Sequence, residues 1–291
     1  METSELLKKV RQIEIKTRGL SRNIFSGEYH SAFKGRGMAF SEVREYQYGD
    51  DIRSIDWNVT ARFNTPFIKI FEEERELTVM LLIDMSQSSF FGTIKQMKNE
   101  LITEICAVLS FSAINNSDKV GVVFFTDRIE KFIPPKKGRS HILRIIRELL
   151  DFQPEGTGTD LGEALRYFNN VVKKRSIAFV MSDFMTKNYE QPLNIATRKH
   201  DIIGVHIFDL RETEMPNVGL VRMLDAESGK TMWVDTASKK LRTQYAKNFE
   251  DNYQYFQTNF RKSGSDIISI DSQKSYVQEL HKFFRSREKR R

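Results

Sequence analysis

With 291 residues, 40% of them hydrophobic and 29% charged, the chain can bury a large core as one big α/β domain or two smaller ones, and general disorder is excluded. A formal charge of +7 allows an anionic partner such as nucleic acid or a membrane surface. Much of that excess, however, sits in the last seven residues, RSREKRR, which carry a net +4 and read as a solvated basic tail.

The single cysteine, Cys106, excludes an internal disulfide, and within the helical pattern LITEICAVLSFSAI it reads as a buried core thiol rather than a nucleophile. The opening METSELLKKVRQIEIK has no apolar core of a signal peptide, and no apolar run approaches the roughly 18 residues that span a bilayer, so a cytoplasmic protein is expected. Residues 1–17 predict an amphipathic helix with Leu6, Leu7, Val10 and Ile13 on one side and Gly19 as its stop. Residues 24–75 differ in character: glycines, then short segments rich in Arg, Asp, Glu and aromatics. They predict an irregular or hairpin-rich layer, with FIKIF as a strand leading towards the core.

From Leu77 onwards strands and helices alternate, which predicts βαβ units and a mainly parallel sheet. The strand LTVMLLID is followed by a helix over about 94–114, then KVGVVFFT (119–126) and RIEKFIPP, whose prolines place it at a sheet edge. Helices are expected at 139–150 and 160–173, a core strand SIAFVMSD at 176–183, a helix near 190–199 and the strand DIIGVHIFD at 201–209. GLVRML and KTMWVD predict an inserted hairpin near 218–236 with Gly229 in its turn. A long polar helix (237–262), the strand DIISI (266–270) and a final helix from Tyr276 complete the chain. The expected fold is α/β: a doubly wound, mainly parallel sheet of about six strands with helices on both faces.

Oxygen-bearing residues cluster where these strands end. Asp84, Ser86 and Ser88 follow the first core strand, Thr157 and Thr159 lie in GTGTD, and Asp183 follows SIAFVMS. Ligands of open α/β sheets gather at the carboxyl ends of the strands, so the three clusters can converge. Hard oxygen donors with few charges suit Mg²⁺, with Mn²⁺ or Ca²⁺ as the other candidates, and leave a position for water or an outside ligand. The simpler reading is that Ser86 and Ser88 cap the following helix and Asp84 favours its N-terminus.

The arrangement resembles the von Willebrand factor A fold and its metal-ion-dependent adhesion site. That pattern is Asp-x-Ser-x-Ser, then a Thr before a helix, then an Asp after a later strand. Here it is met by Asp84, Ser86, Ser88, Thr159 and Asp183. The resemblance selects Thr159 over Thr157, because Thr159 lies five residues before Ala164 of the Ala-Leu pair. The family's second Asp is commonly followed by Gly, where this chain has Phe184.

The upstream stretch 35–76 looks like the hallmark segment of domain-of-unknown-function family 58, through Arg44, Tyr46, Gly49, Asp50, Asp51, Ile55, Asp56, Trp57, Ala61 and Arg62. The resemblance implies a family-specific N-terminal layer (1–75) before a von Willebrand factor A-like domain (76–291). It also implies a non-enzymatic adaptor whose metal takes an acidic side chain from a protein partner, with a MoxR-type AAA+ ATPase as that partner. The serines and Thr159 would bind the metal directly, with Asp84 and Asp183 acting directly or through water.

Other chemistries find less support. Asp50, Asp51 and Asp56 are interleaved with Arg44, Arg53, Arg62 and Arg75, which favours Arg–carboxylate pairing around a Trp57 anchor over acid–base catalysis. The five histidines show no zinc spacing, and His200 and His206 read as packing residues. A metal-assisted hydrolase would need a general base that the sequence does not point to. Nucleic-acid binding through the basic tail and helix 237–262 is the main competitor, since both supply basic residues and the helix adds aromatics, but the helix also carries acidic residues.

Overall fold

The computed structural model describes residues 3–21, 29, 33, 38–73, 76–90, 97–224 and 231–290. It begins with helix α1 (Thr3–Leu20), which buries Leu6 and Val10 and leaves Leu7 exposed. The expected stop at Gly19 does not operate, because the helix continues to Leu20.

Strands β1 (Met38–Glu45) and β2 (Phe67–Glu73) form a separate antiparallel ribbon with a bulge between Phe40 and Glu42. FIKIF is thus a strand, but of this ribbon rather than of the central sheet. Between the two strands, Asp51 caps a short 3-10 turn, and Asp56 caps helix α2 (Trp57–Phe63) by accepting from the amides of Asn58 and Val59 at 3.0 and 3.3 Å. Arg44 grips Asp50 through both guanidinium nitrogens at 2.9 and 2.8 Å, the pairing the sequence suggests. Trp57 is no anchor: it is 68% exposed, because Asp56 places it on the first turn of α2 facing outwards.

The central sheet has six strands in the order β10-β7-β6-β3-β4-β5. In chain order they are β3 (Thr78–Asp84), β4 (Lys119–Phe125), β5 (Ile129–Lys136), β6 (Ile177–Ser182), β7 (Asp201–Phe208) and β10 (Asp266–Asp271). All neighbours are parallel except β4 and β5, and β5 carries Pro134 and Pro135 at the sheet edge, where a missing N–H costs no ladder bond. This is the doubly wound, von Willebrand factor A-like architecture expected. The hairpin β8 (Leu220–Leu224) and β9 (Thr231–Asp235) stands apart as a two-stranded sheet; Gly229 lies outside the described residues.

The pleat of β3 sends alternate residues to opposite faces, and each face has its own core. Val79, Leu81 and Ile83 join helices α3 (Lys98–Asn115), α4 (Arg139–Asp151) and the C-terminal α9 (Tyr276–Lys289). Met80 and Leu82 join α5 (Leu161–Val171), α6 (Glu190–Thr197) and α8 (Lys239–Lys262). Helix α3 is buried along nearly its whole length because α1 lies across its outer side, tied by Lys16 to Glu104 at 2.7 Å. A one-turn helix not foreseen from sequence, α7 (Leu210–Thr213), follows β7.

The basic C-terminal stretch is helical rather than a loose tail: Arg285, Lys289 and Arg290 are exposed as expected, and Arg287 is the exception. Helix α9 runs through the stretch to Lys289, and Arg287 is buried, paired with Asp201 and Asp266 and lying 4.7 Å over the Phe33 ring. Among the described residues no helix is long and apolar enough to cross a membrane.

Candidate metal centre

Parallel register brings the site together. Ile83 stands opposite Met181, so Asp84 at the end of β3 lies beside Ser182 and Asp183 at the end of β6. Asp84 is fully buried; one carboxylate oxygen accepts from the Ser86 amide at 2.9 Å, the other from the Ser182 hydroxyl at 2.6 Å. Beyond β3 the chain turns at once into a 3-10 turn (Gln87–Phe90), held by the Ser89 hydroxyl donating to the Asp84 carbonyl at 2.9 Å. That turn sets the Ser86 and Ser88 hydroxyl oxygens 3.1 Å apart. The capping role is not theirs: the following helix α3 starts at Lys98 and takes no side-chain cap.

The third strand-end segment is the loop between α4 and α5. Gly156 sits so close to the turn after β4 that a Cβ there would lie 2.0 Å from the Asp127 carboxylate and 2.2 Å from the Thr126 hydroxyl. Its amide donates to Glu130 at 2.8 Å, and the Asp160 amide donates to the Thr126 carbonyl at 2.8 Å. So clamped, the loop delivers the Thr159 hydroxyl to within 3.3 and 3.4 Å of the two Asp84 oxygens, wider than an ordinary O–H···O bond. Thr157 is exposed and offers its carbonyl to the Gln87 amide at 3.4 Å. The structure therefore gathers Asp84, Ser86, Thr159 and Asp183, with Ser88 beside Ser86, at one sheet edge.

Two carboxylates this close and this buried resist sharing negative charge. Burial, and then the Asp183 charge, push the Asp84 carboxyl up to about 6. Burial also opposes ionisation of Asp183, but the charge of Lys98 and hydrogen bonds from Ser88 and Lys98 outweigh it and hold that carboxyl below its ordinary value. Phe184 adopts the left-handed backbone at φ 53°, at the position where the family pattern commonly has Gly. A non-glycine residue there costs roughly 1–3 kcal/mol. Its buried ring stacks on Phe256 at 4.0 Å, which offsets that strain.

Three participants escape a sequence reading. Ser182 is recognisable only through register. Lys98, 1% exposed, donates to Asp183 at 3.1 Å and to Glu212 at 2.6 Å, yet a lysine at the start of a helix ordinarily reads as solvated. Glu212 had a legible signal: Asp209-Leu-Arg-Glu212 is a capping box, in which Glu212 accepts from the Asp209 amide at 2.8 Å.

Among the described residues no group of three or more His, Cys, Asp or Glu side chains could hold a metal ion. A cation here would therefore depend on hydroxyls. The donors fit one: two carboxylates and three hydroxyls are hard oxygens, and buried Asp84 has no cationic partner of its own among the described residues.

Comparison with known proteins gives relatives without assigned activity. The chain is 27% identical over 292 aligned residues to the uncharacterized protein Rv1480 of Mycobacterium tuberculosis, covering 99% of this chain and 91% of that one. It is also 27% identical over 109 residues to the uncharacterized protein YeaD of Bacillus subtilis, covering 38% of this chain and 25% of that one. Among solved structures it is similar to an aerotolerance-related membrane protein from Bacteroides fragilis, with TM-score 0.49, 13% identity, and coverage of 74% of this chain and 100% of that chain. BatB from Bacteroides thetaiotaomicron gives TM-score 0.48, 14% identity, and coverage of 74% and 100%. The family described as "Protein of unknown function DUF58" matches residues 42–255, a span holding most of the ribbon and all five candidate metal-binding residues, and the chain belongs to that family.

Proposed function

We propose that this protein is a non-catalytic, metal-dependent protein-binding module. Asp84, Ser86, Ser88, Thr159 and Asp183 hold Mg²⁺, or Mn²⁺ or Ca²⁺ in its place, and the cation takes a carboxylate from a partner protein. The observation that carries this reading is the convergence of these five oxygen donors on one sheet edge around a buried carboxylate that has no cationic partner. When bound, the cation supplies a hard positive charge that binds an incoming carboxylate. The protein's own part is positional. Ser182 fixes one Asp84 oxygen, the Ser86 amide fixes the other, and Gly156 seats the loop that carries Thr159.

A MoxR-type AAA+ ATPase is the partner suggested by the family resemblance, and the cytoplasm is the proposed setting. The nucleic-acid reading loses its aromatic component: in α8, Phe256 and Phe260 are buried and Tyr253 donates to or accepts from Ser269 at 2.9 Å, so these rings serve the core. Hydrolysis would call for a base beside the cation. His206, which feels the charge of Asp183, lies buried among Phe208, Tyr253 and Phe256.

An affinity capture from cell extract, run with Mg²⁺ and with EDTA on wild type and Ser86→Ala, tests the proposal. The expected result is a partner retained by wild type in Mg²⁺ and lost in the other samples. Identical captured proteins in every sample would refute the metal bridge.

A further inference from the structure

Lys98 occupies a position that helix energetics disfavours twice. It opens α3, where the macrodipole repels a cation, and it is 1% exposed, where an ammonium loses its hydration. Asp183 at 3.1 Å and Glu212 at 2.6 Å, one carboxylate on each side of the ammonium, compensate both costs. Glu212 is fixed in turn. Its other oxygen accepts from the Asp209 amide at 2.8 Å, and the Asp209 carboxylate, itself fully buried, accepts from Ser272 at 2.7 Å beyond β10. The ammonium is thus held in a rigid acidic seat that reaches from the metal-site carboxylate across the ends of β6, β7 and β10.

Resting on the metal-site reading above, we infer that Lys98 is a resident counter-ion of that site. Its ammonium neutralises Asp183 when no metal is present, so the fold tolerates the metal-free state. Its charge also opposes an incoming divalent cation, so metal affinity is kept low. A weakly held metal then makes the partner's carboxylate a substantial share of the ligand field, and metal and partner bind together rather than in sequence. Glu212 moderates this opposition by drawing part of the ammonium's charge away from Asp183. The two residues therefore act on metal affinity in opposite directions, a pattern that a purely structural salt bridge would not give.

Titration calorimetry with Mn²⁺ alone, on wild type, Lys98→Met and Glu212→Gln, tests the inference, with thermal melts of each in EDTA and in Mn²⁺. Lys98→Met is expected to bind Mn²⁺ about tenfold more tightly than wild type, since a like charge has left the neighbourhood of the cation. Glu212→Gln is expected to bind severalfold more weakly. In EDTA, Lys98→Met should melt lower than wild type, and Mn²⁺ should restore it. Lys98→Gln, which keeps a hydrogen-bond donor without the charge, carries the same expectation should the methionine variant fold poorly. Metal-dependent folding of either variant supports the inference, and failure of both to fold even with Mn²⁺ overturns it. Wild type that binds Mn²⁺ while Lys98→Met binds no more tightly, or Glu212→Gln shifting affinity in the same direction as Lys98→Met, removes Lys98 from this role and leaves the metal site standing. No Mn²⁺ bound by wild type or any variant removes the metal site, and the inference with it.

Discussion

Individual residues divide by whether their role depends on sequence spacing or on three-dimensional register. Asp84, Ser86 and Ser88 were legible because a buried strand shows as an unbroken apolar run, and its first polar residue marks the sheet edge. Thr159 needed a motif to separate it from Thr157, and the clamp at Gly156 is the physical reason that Thr159, not Thr157, brings its hydroxyl to Asp84. Lys98 was illegible, since its partners Asp183 and Glu212 lie 85 and 114 residues away and no local pattern marks a buried lysine. The expectation that His200 and His206 are packing residues holds, and it has a consequence in acid. Burial lowers both imidazoles from 6.5 to about 4, with Lys199 and Arg175 adding to the effect at His200. The folded state therefore binds these protons less readily than the unfolded chain. Their contribution is present above about pH 6.5 and is lost as pH falls towards 4. Urea melts are expected to show a loss of about 2 kcal/mol per histidine between about pH 7.5 and about pH 5. His200→Phe, which keeps a ring against Phe168, should remove about half of that sensitivity. Unchanged pH dependence in the variant would contradict the assignment.

At the scale of elements, the alternation of strands and helices predicted nearly every segment of the sheet, because each β-strand and helix carries its own periodicity. The exceptions follow from tertiary context. Gly19 continues α1 instead of ending it, Trp57 faces outwards where an inward anchor was expected, and the terminal basic residues extend α9 because Arg287 finds Asp201 and Asp266 in the adjoining strands. The loop before α5 shows how one backbone position controls the site. Gly156→Ala would force the new methyl group against Thr126 and Asp127, shifting the segment that carries Thr159. A destabilisation of about 1–3 kcal/mol is expected in denaturant melts, with weakened Mg²⁺-dependent partner capture. Gly158→Ala is the control, since its Cβ would meet only the Asp127 Cβ at 3.8 Å. Equal effects from the two substitutions would contradict the clamp.

For the molecule as a whole, a two-faced sheet concentrates polar chemistry at the carboxyl ends of its strands, and this chain places there both an oxygen-rich cluster and a buried cation. The fold class was readable because burial on both faces leaves a strong hydrophobic signature, whereas the balance of charge at the site emerges only once β3, β6 and the segment after β7 are side by side. The central claim is that these donors hold a divalent cation. It is tested most directly by anomalous diffraction from crystals grown with Mn²⁺, in wild type and in Asp84→Ala. One anomalous peak coordinated by oxygens of Ser86 and Ser88 and adjacent to Asp84, Thr159 and Asp183, absent in the variant, is the predicted result. Density for Mn²⁺ only elsewhere on the protein, or an unchanged peak in Asp84→Ala, would contradict it.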